Sequence, residues 1–222
     1  MGLTGHTDRV TRASAARKTP PRKLGRPPAS RSGATRERIL THARTTFSEL
    51  GYEATTNKHL AHNAGVTTGA IYHYFDSKFD LYKAVNEEAQ RVVYDRFEQQ
   101  VADAETFVGG IERVLDTSHE LNNTDPSLAR FLGAVRIDVR RNPELRDVFK
   151  GSTRRREMFF ESLVDLGIKT GEVRKRDRLR MVALIRVMLI GLVDAVSDDP
   201  DTHLAAIEAI KMLIEGNLIK RA

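Results

Sequence analysis

From Thr35 onward the apolar residues of this chain recur at intervals of three and four, and no stretch shows the strict apolar-polar alternation of a half-buried strand. That pattern restricts the fold to helices packed on helices. Ile39, Leu40, Ala43, Phe47 and Leu50 form a first stripe, and Gly51 follows where a helix would stop. Thr56 can cap a short second helix running to Ala64. Gly65 supplies a turn residue that tolerates positive φ, and Thr67 or Thr68 can cap a third short helix ending at Phe75. Two short helices one turn apart make a helix-turn-helix. Ser77 and Asp80 have the spacing of a capping box whose acid is one carbon short, opening a long fourth helix through Tyr82, Val85, Ala89, Val93 and Phe97. Further helices are expected at 105–122, 127–141, 143–168, 177–197 and 202–218. Asp125-Pro126, Asn142-Pro143, Gly167 to Gly171 and Asp198-Asp199-Pro200 separate them.

The net charge of +6 has a lopsided origin. Residues 1–33 hold eight Lys and Arg against one Asp, which leaves the other 189 residues at −1. A case for nucleic-acid binding by the folded part therefore rests on particular side chains. The same 33 residues hold four of the seven prolines and few large apolar groups, so they cannot offset the entropy of ordering and are expected to be a disordered basic tail. Within it, Gly25-Arg26-Pro27 resembles an AT-hook core, with Arg26 as a candidate minor-groove contact.

Several function classes lack their residues. Cysteine is absent, so disulfides, thiol catalysis and Cys-ligated zinc are excluded. No glycine-rich phosphate loop, GxSxG elbow or metal-ligand spacing stands out, and neither an enzyme, a cofactor nor a metal is expected. His59 and His62, three apart on the second helix, read as solvated or DNA-facing surface. The N-terminal residues lack the apolar core of a signal peptide, and the longest apolar stretch, 181–196, is broken by Arg186, Gly191 and Asp194. A soluble cytoplasmic protein without membrane contact is the expectation.

The third helix carries the binding argument. With Ile71 inward, the rotation of about 100° per residue turns Gly69 and His73 outward, with Thr68, Ala70 and Tyr72 on the flanks. Gly69 and Ala70 leave room for backbone to approach base edges. The hydroxyls of Thr68 and Tyr72 can reach phosphates or bases, and His73 can donate or accept at a base edge. Tyr74 and Phe75 turn inward again, and Lys78 stands where a helix start could hold a phosphate.

Residues 35–85, TRERILTHARTTFSELGYEATTNKHLAHNAGVTTGAIYHYFDSKFDLYKAV, resemble the DNA-binding domain of the Tet repressor family nearly end to end. The likeness rests on Phe47, Gly51, Tyr52 and Thr56, then Ala61, Ala64, Gly65 and Val66, then Gly69, Ile71, Tyr72, Tyr74, Phe75, Lys78 and Leu81. His59 and His62 depart from the family pattern. The resemblance implies an all-α protein: an N-terminal three-helix DNA-binding domain (34–80), then a helical ligand-binding and dimerisation domain (81–222). It also implies operator contacts from Thr56, Thr68, Gly69, Tyr72, Tyr74 and Lys78. Thr35 and Thr67 complete the candidate DNA-contacting set.

For the C-terminal part, 181–196 is apolar almost all round, and Leu204, Ile207, Ile210, Leu213 and Ile214 form a stripe. Leu184, Val187, Ile190, Leu204, Ile207, Ile210 and Ile214 are the candidate homodimer interface, a four-helix bundle as in the family. A mostly apolar small-molecule effector is expected in a pocket lined by Phe107, Leu115, Phe131, Leu132, Met158, Phe159, Leu163 and Met188, with His119 and Arg136 as polar anchors. The function that follows is a sequence-specific repressor of a palindromic operator, released by that effector as the fourth helix shifts. The alternative is a ligand-independent architectural DNA binder driven by the tail.

Overall fold

The computed structural model describes residues 1–2, 29–195, 199–216 and 218. Arg26 and the rest of residues 3–28 lie outside them. The described residues form ten α-helices and no strand: α1 (Ala29–Ala54), α2 (Asn57–Asn63), α3 (Thr68–Tyr74), α4 (Lys78–Val101), α5 (Phe107–Thr124), α6 (Pro126–Arg141), α7 (Glu144–Val148), α8 (Lys150–Thr170), α9 (Arg178–Ala195) and α10 (Pro200–Ile214). The fold class is all-α, as expected.

Three boundaries differ from the sequence reading. Helix α1 starts at Ala29, inside the stretch expected to be tail, and continues past Gly51 to Ala54. Gly51 kinks it with φ 74° and ψ 171°, a conformation glycine adopts without a Cβ penalty. The helix expected over 143–168 is two, because Phe149 leaves helical geometry (φ −96°, ψ 13°) and buries its ring 5.8 Å from that of Tyr82. The last helix ends at Ile214, with Gly216 at φ +77°.

Two apolar cores organise the bundle. The first takes Ile39, Ala43 and Phe47 from α1, Leu60 and Ile71 from the short helices, and Leu81, Tyr82 and Val85 from α4, and closes with Phe131 and Val135 of α6 and Leu145 and Phe149 beyond it. It is therefore continuous across residue 80, and α6 packs along α1. The second core joins Tyr94 and Phe97 of α4 to Ile111, Val114 and Leu115 of α5, Phe159, Phe160 and Leu163 of α8, Ile185 and Leu192 of α9, and Ile207 of α10.

Two polar clusters, each centred on a buried side chain, tie the helices that flank α2 and α3. Arg44, 4% exposed, donates from Nε to Ser127 Oγ (2.8 Å), from one terminal nitrogen to Glu88 (3.2 Å) and from the other to Asp125. It fastens α1 to α4 and to the α5–α6 corner. Asp138 of α6, 5% exposed, accepts through Oδ2 from the Tyr82 hydroxyl (2.7 Å) and from the Tyr52 N–H (3.1 Å) beside the Gly51 kink. Burial, then the hydrogen bond and charge of Asp138, push the Tyr82 hydroxyl above its ordinary pKa, so it stays protonated and donates.

Candidate nucleic-acid interface and effector cavity

The helix-turn-helix is built from caps. Thr56 Oγ1 accepts from the His59 N–H (3.2 Å), while His59 Nδ1 accepts from the Thr56 N–H (3.4 Å). This is a capping box with histidine where glutamate or glutamine is usual. The departure at His59 therefore has a structural role that its reading as plain surface missed. His62 is exposed and sits 3.2 Å from the Asn63 side chain. Gly65, at φ +61°, turns the chain, and Thr67 Oγ1 caps α3 by accepting from the Ala70 N–H (3.1 Å). At α4, Ser77 Oγ accepts from the Asp80 N–H (3.0 Å) and donates to the Asp80 carboxylate (2.6 Å), so the shorter acid closes on the hydroxyl instead of the backbone.

Ile71 is 1% exposed and anchors α3. Thr68, Gly69, Tyr72 and His73 are exposed, with Ala70 half-buried at the edge, which is the face expected from helical rotation. The Tyr72 hydroxyl accepts from Asn57 Nδ2 (2.5 Å), so α2 holds the ring that α3 presents. The Tyr74 ring is half-buried and meets His73 edge-on at 5.1 Å. Thr35 lies half-buried in the first turns of α1. A Cβ added at Gly69 would meet nothing nearer than Thr67 Oγ1 at 3.9 Å. Nothing in the fold requires glycine there, although glycine inside a helix costs about 0.5–1 kcal/mol relative to alanine.

Lys78 has partners within the chain that its expected phosphate contact did not include. Its ammonium donates to the carbonyls of Tyr52 (2.8 Å) and Thr55 (2.9 Å), lies 3.5 Å from that of Glu53, and sits 4.2 Å from the centre of the Tyr52 ring. The side chain thus closes the C-terminal end of α1, where unpaired carbonyls attract a cation. A phosphate would have to compete with those carbonyls for the ammonium or be met by backbone N–H groups.

The C-terminal half holds a cavity of about 70 Å³ lined by residues of α4, α5, α6, α8, α9 and α10, among them Val93, Phe97, Leu121, Leu132, Phe160 and Leu189. Of the expected pocket residues, Leu132 and Arg136 line it. Arg136 is held by Asp194 through both Nε and a terminal nitrogen. The others lie elsewhere, because the largest apolar groups were used to fill the cores. Phe131 belongs to the first core, and Phe107, Leu115, Phe159 and Leu163 to the second. Met158 is exposed on the outer side of α8, and Met188 is half-buried away from the wall. His119 stacks on His203 (5.5 Å between ring centres), with 3.3 Å between their Nδ1 atoms, and Asn123 Nδ2 lies 2.9 Å from its Nε2. His203, 1% exposed, is the member of the pair at the cavity wall. Burial, then the charge of His119, lowers its pKa, which keeps the imidazole neutral. The sequence offered no signal for His203, which interrupts an otherwise ordinary amphipathic stripe.

On α9 and α10, Leu184, Val187 and Leu204 are exposed, together with Leu179, Met212 and Leu213. Ile207 is 1% exposed in the second core, Ile210 and Ile214 pack half-buried against it, and Ile190 lines the cavity. These four were expected at a subunit interface; within the single chain Ile207 is buried and the other three are half-buried, the α10 members because that helix packs on α5. No helix among the described residues is long and apolar enough to cross a membrane.

Residues 39–85 match the family model described as bacterial regulatory proteins, tetR family. The chain's helix-turn-helix unit is thus a tetR-family DNA-binding domain. The match spans the end of α1, the helix-turn-helix and the first turns of α4, the elements whose geometry is given above. Over 152 residues the chain is 27% identical to the HTH-type transcriptional repressor KstR2 of Rhodococcus jostii strain RHA1, covering 67% of this chain and 74% of that one. Among solved structures it is similar to the regulator FadR of Bacillus subtilis in complex with stearoyl-CoA. The TM-score is 0.71 at 21% identity, over 82% of this chain and 99% of that chain. It is also similar to AibR in complex with isovaleryl coenzyme A and operator DNA, with a TM-score of 0.67 at 16% identity, over 81% and 97%. These two likenesses carry the shared helical fold through the C-terminal helices.

Proposed function

We propose that this chain is a TetR-family repressor: a homodimer that grips a palindromic operator with two copies of α3 and is released when a mostly apolar small molecule enters the cavity. The observation that carries the DNA-reading part is Gly69, an exposed helical glycine that the protein's own packing does not need. Close approach of backbone to a base edge accounts for it. Thr68, Tyr72 and His73 flank it as readers, Thr56 and Thr67 stand at helix starts where phosphates bind, and Thr35 lies in the first turns of α1. The exposed leucines and valine of α9 and α10 support the dimer, since large apolar groups left exposed in number on neighbouring helices commonly mark an interaction surface. Effector release is supported by the CoA ligands named for the FadR and AibR structures and by the apolar cavity lining. Helix α6 joins the two ends: Leu132 and Arg136 face the cavity, and Asp138 holds the Gly51 kink.

The test is selection of bound fragments from a random DNA library at about 150 mM salt, where the Debye length is about 8 Å and loose attraction is screened. An inverted repeat is expected. Recovery of unrelated or merely AT-rich fragments would overturn the reading in favour of an architectural binder. On the selected site, His73→Ala should lose about 1–3 kcal/mol of operator binding and less on random DNA. Gly69→Ala should raise stability by up to about 1 kcal/mol through helix propensity while lowering operator affinity, as denaturation and binding titrations together would show. Unchanged affinity would remove Gly69 from the interface.

A further inference from the structure

Adjoining the apolar cavity is a second compartment of about 280 Å³ between α4, α6, α7 and α8. The two share Gln90, Leu132, Arg136 and Arg156 in their walls, so an apolar and a polar compartment lie side by side across these four side chains. The polar compartment is lined by Arg136, Arg140, Arg146 and Arg156 and by no aspartate or glutamate. Arg136 is committed to Asp194, and Arg156 lies 3.4 Å from Glu157, which is held more closely by Arg186. Arg140 and Arg146 make no ion pair with a described residue, and the Asp147 carboxylate next to Arg146 is bonded to Lys150 at 2.7 Å. Two guanidinium groups therefore face this compartment with unused donors.

The polar compartment carries a second, independent mark. Asn86, 1% exposed, donates through Nδ2 to Ser152 Oγ (3.0 Å), and its Oδ1 is buried without a partner. Gln90, at the join of the compartments, also has a buried, unpartnered carbonyl oxygen, Oε1. Buried acceptors of this kind are normally paired, so a site built around two of them calls for donors from outside the chain.

We propose that the effector is an amphipathic anion: an apolar tail in the cavity, hydrogen-bond donors opposite Asn86 and Gln90, and a phosphate or carboxylate head on Arg140 and Arg146. This rests on the effector-responsive reading above and specifies its ligand. A free fatty acid supplies tail and anion. An acyl thioester of coenzyme A supplies both and, in its pantetheine arm, two amide N–H groups for the unpaired acceptors, so it is the source the geometry favours.

Calorimetric titration of the full chain, without DNA, with decanoyl-CoA, decanoate, coenzyme A and decanol tests this. Decanoyl-CoA should bind most tightly, with coenzyme A and decanol at least about tenfold weaker. Loss of a charge-assisted hydrogen bond is commonly worth about a factor of ten, so Arg140→Ala and Arg146→Ala should each weaken decanoyl-CoA by about that much and leave decanol unchanged. Arg146 is exposed on α7 and Arg140 on α6, so neither change threatens folding. Decanoate binding as tightly as decanoyl-CoA, with the same arginine dependence, would keep the amphipathic anion and assign its source to a free carboxylic acid. Decanol binding as tightly as the anions, no binding by any of the four, or an unchanged Arg140→Ala/Arg146→Ala double variant would overturn the proposal. Ligand binding is read here without operator, so a chain that binds decanoyl-CoA but selects no inverted repeat sinks the repressor reading alone.

Discussion

Arg44→Ala should lower stability by about 3 kcal/mol, a drop in Tm of roughly 6 to 12 °C for a chain of this size. The arginine is 4% exposed and its planar donors meet Ser127, Glu88 and Asp125, which come from α4 and from the corner where α5 ends and α6 begins. Removing it leaves a half-buried cluster of two carboxylates without a cation and opens a void beside the first core. Solvent reaches Glu88 and Asp125 at side-chain exposures of 28% and 37%, which puts the expected cost at the lower end of the range for broken buried pairs. Arg44→Lys should recover only part of the loss, because an ammonium cannot match three divergent acceptors with a planar fork. Thermal denaturation of the two variants against wild type checks both points. A shift below about 2 °C for the alanine variant would mean that water takes over the arginine's role.

Asp138→Ala should cost about 2–5 kcal/mol, since it strips the partner from the fully buried Tyr82 hydroxyl and from the Tyr52 N–H, and each unpaired buried donor costs about 1–3 kcal/mol. Asp138→Asn should cost only about 1 kcal/mol, because one amide oxygen in the Oδ2 position can still accept both bonds as a neutral acceptor. The asparagine variant isolates the functional consequence. Asp138 is two residues from Arg136 on α6 and touches α1 at its kink, so weakening it should reduce the difference in effector affinity between operator-bound and free protein. Effector titrations with and without operator measure that difference. An undiminished difference in a folded variant would route the coupling through α4 or the Arg44 cluster instead.

The helix-turn-helix was legible because its determinants are local. Caps at Thr56, Thr67 and Ser77, the turn at Gly65 and the inward Ile71 all act within one helical turn of themselves, and a 3.6-residue period then decides which side chains face out. The intrachain contacts of Lys78 were not legible for the opposite reason. Its partners are carbonyls 23 to 26 residues earlier, brought to it by packing of α4 on α1.

The cavity was hardly legible at all. Large apolar side chains mark a core and a ligand wall equally in a sequence, and only packing separates Phe131 in the first core from Leu132 beside it at the cavity. The same holds for α10, where Ile207 and Leu204 share one stripe but differ in exposure from 1% to 39%. The unpaired oxygens of Asn86 and Gln90 are invisible without coordinates, because whether a carboxamide has a partner is decided by residues up to 66 positions away. The sequence by itself determined the all-α class, the caps and turns of the reading unit and the outward face of α3, since these follow from backbone conformation and helical period. Tertiary structure decided which apolar groups fill cores and which line space, which charges are paired, and how α6 connects the two, because each depends on contacts between segments that the order of residues does not bring together.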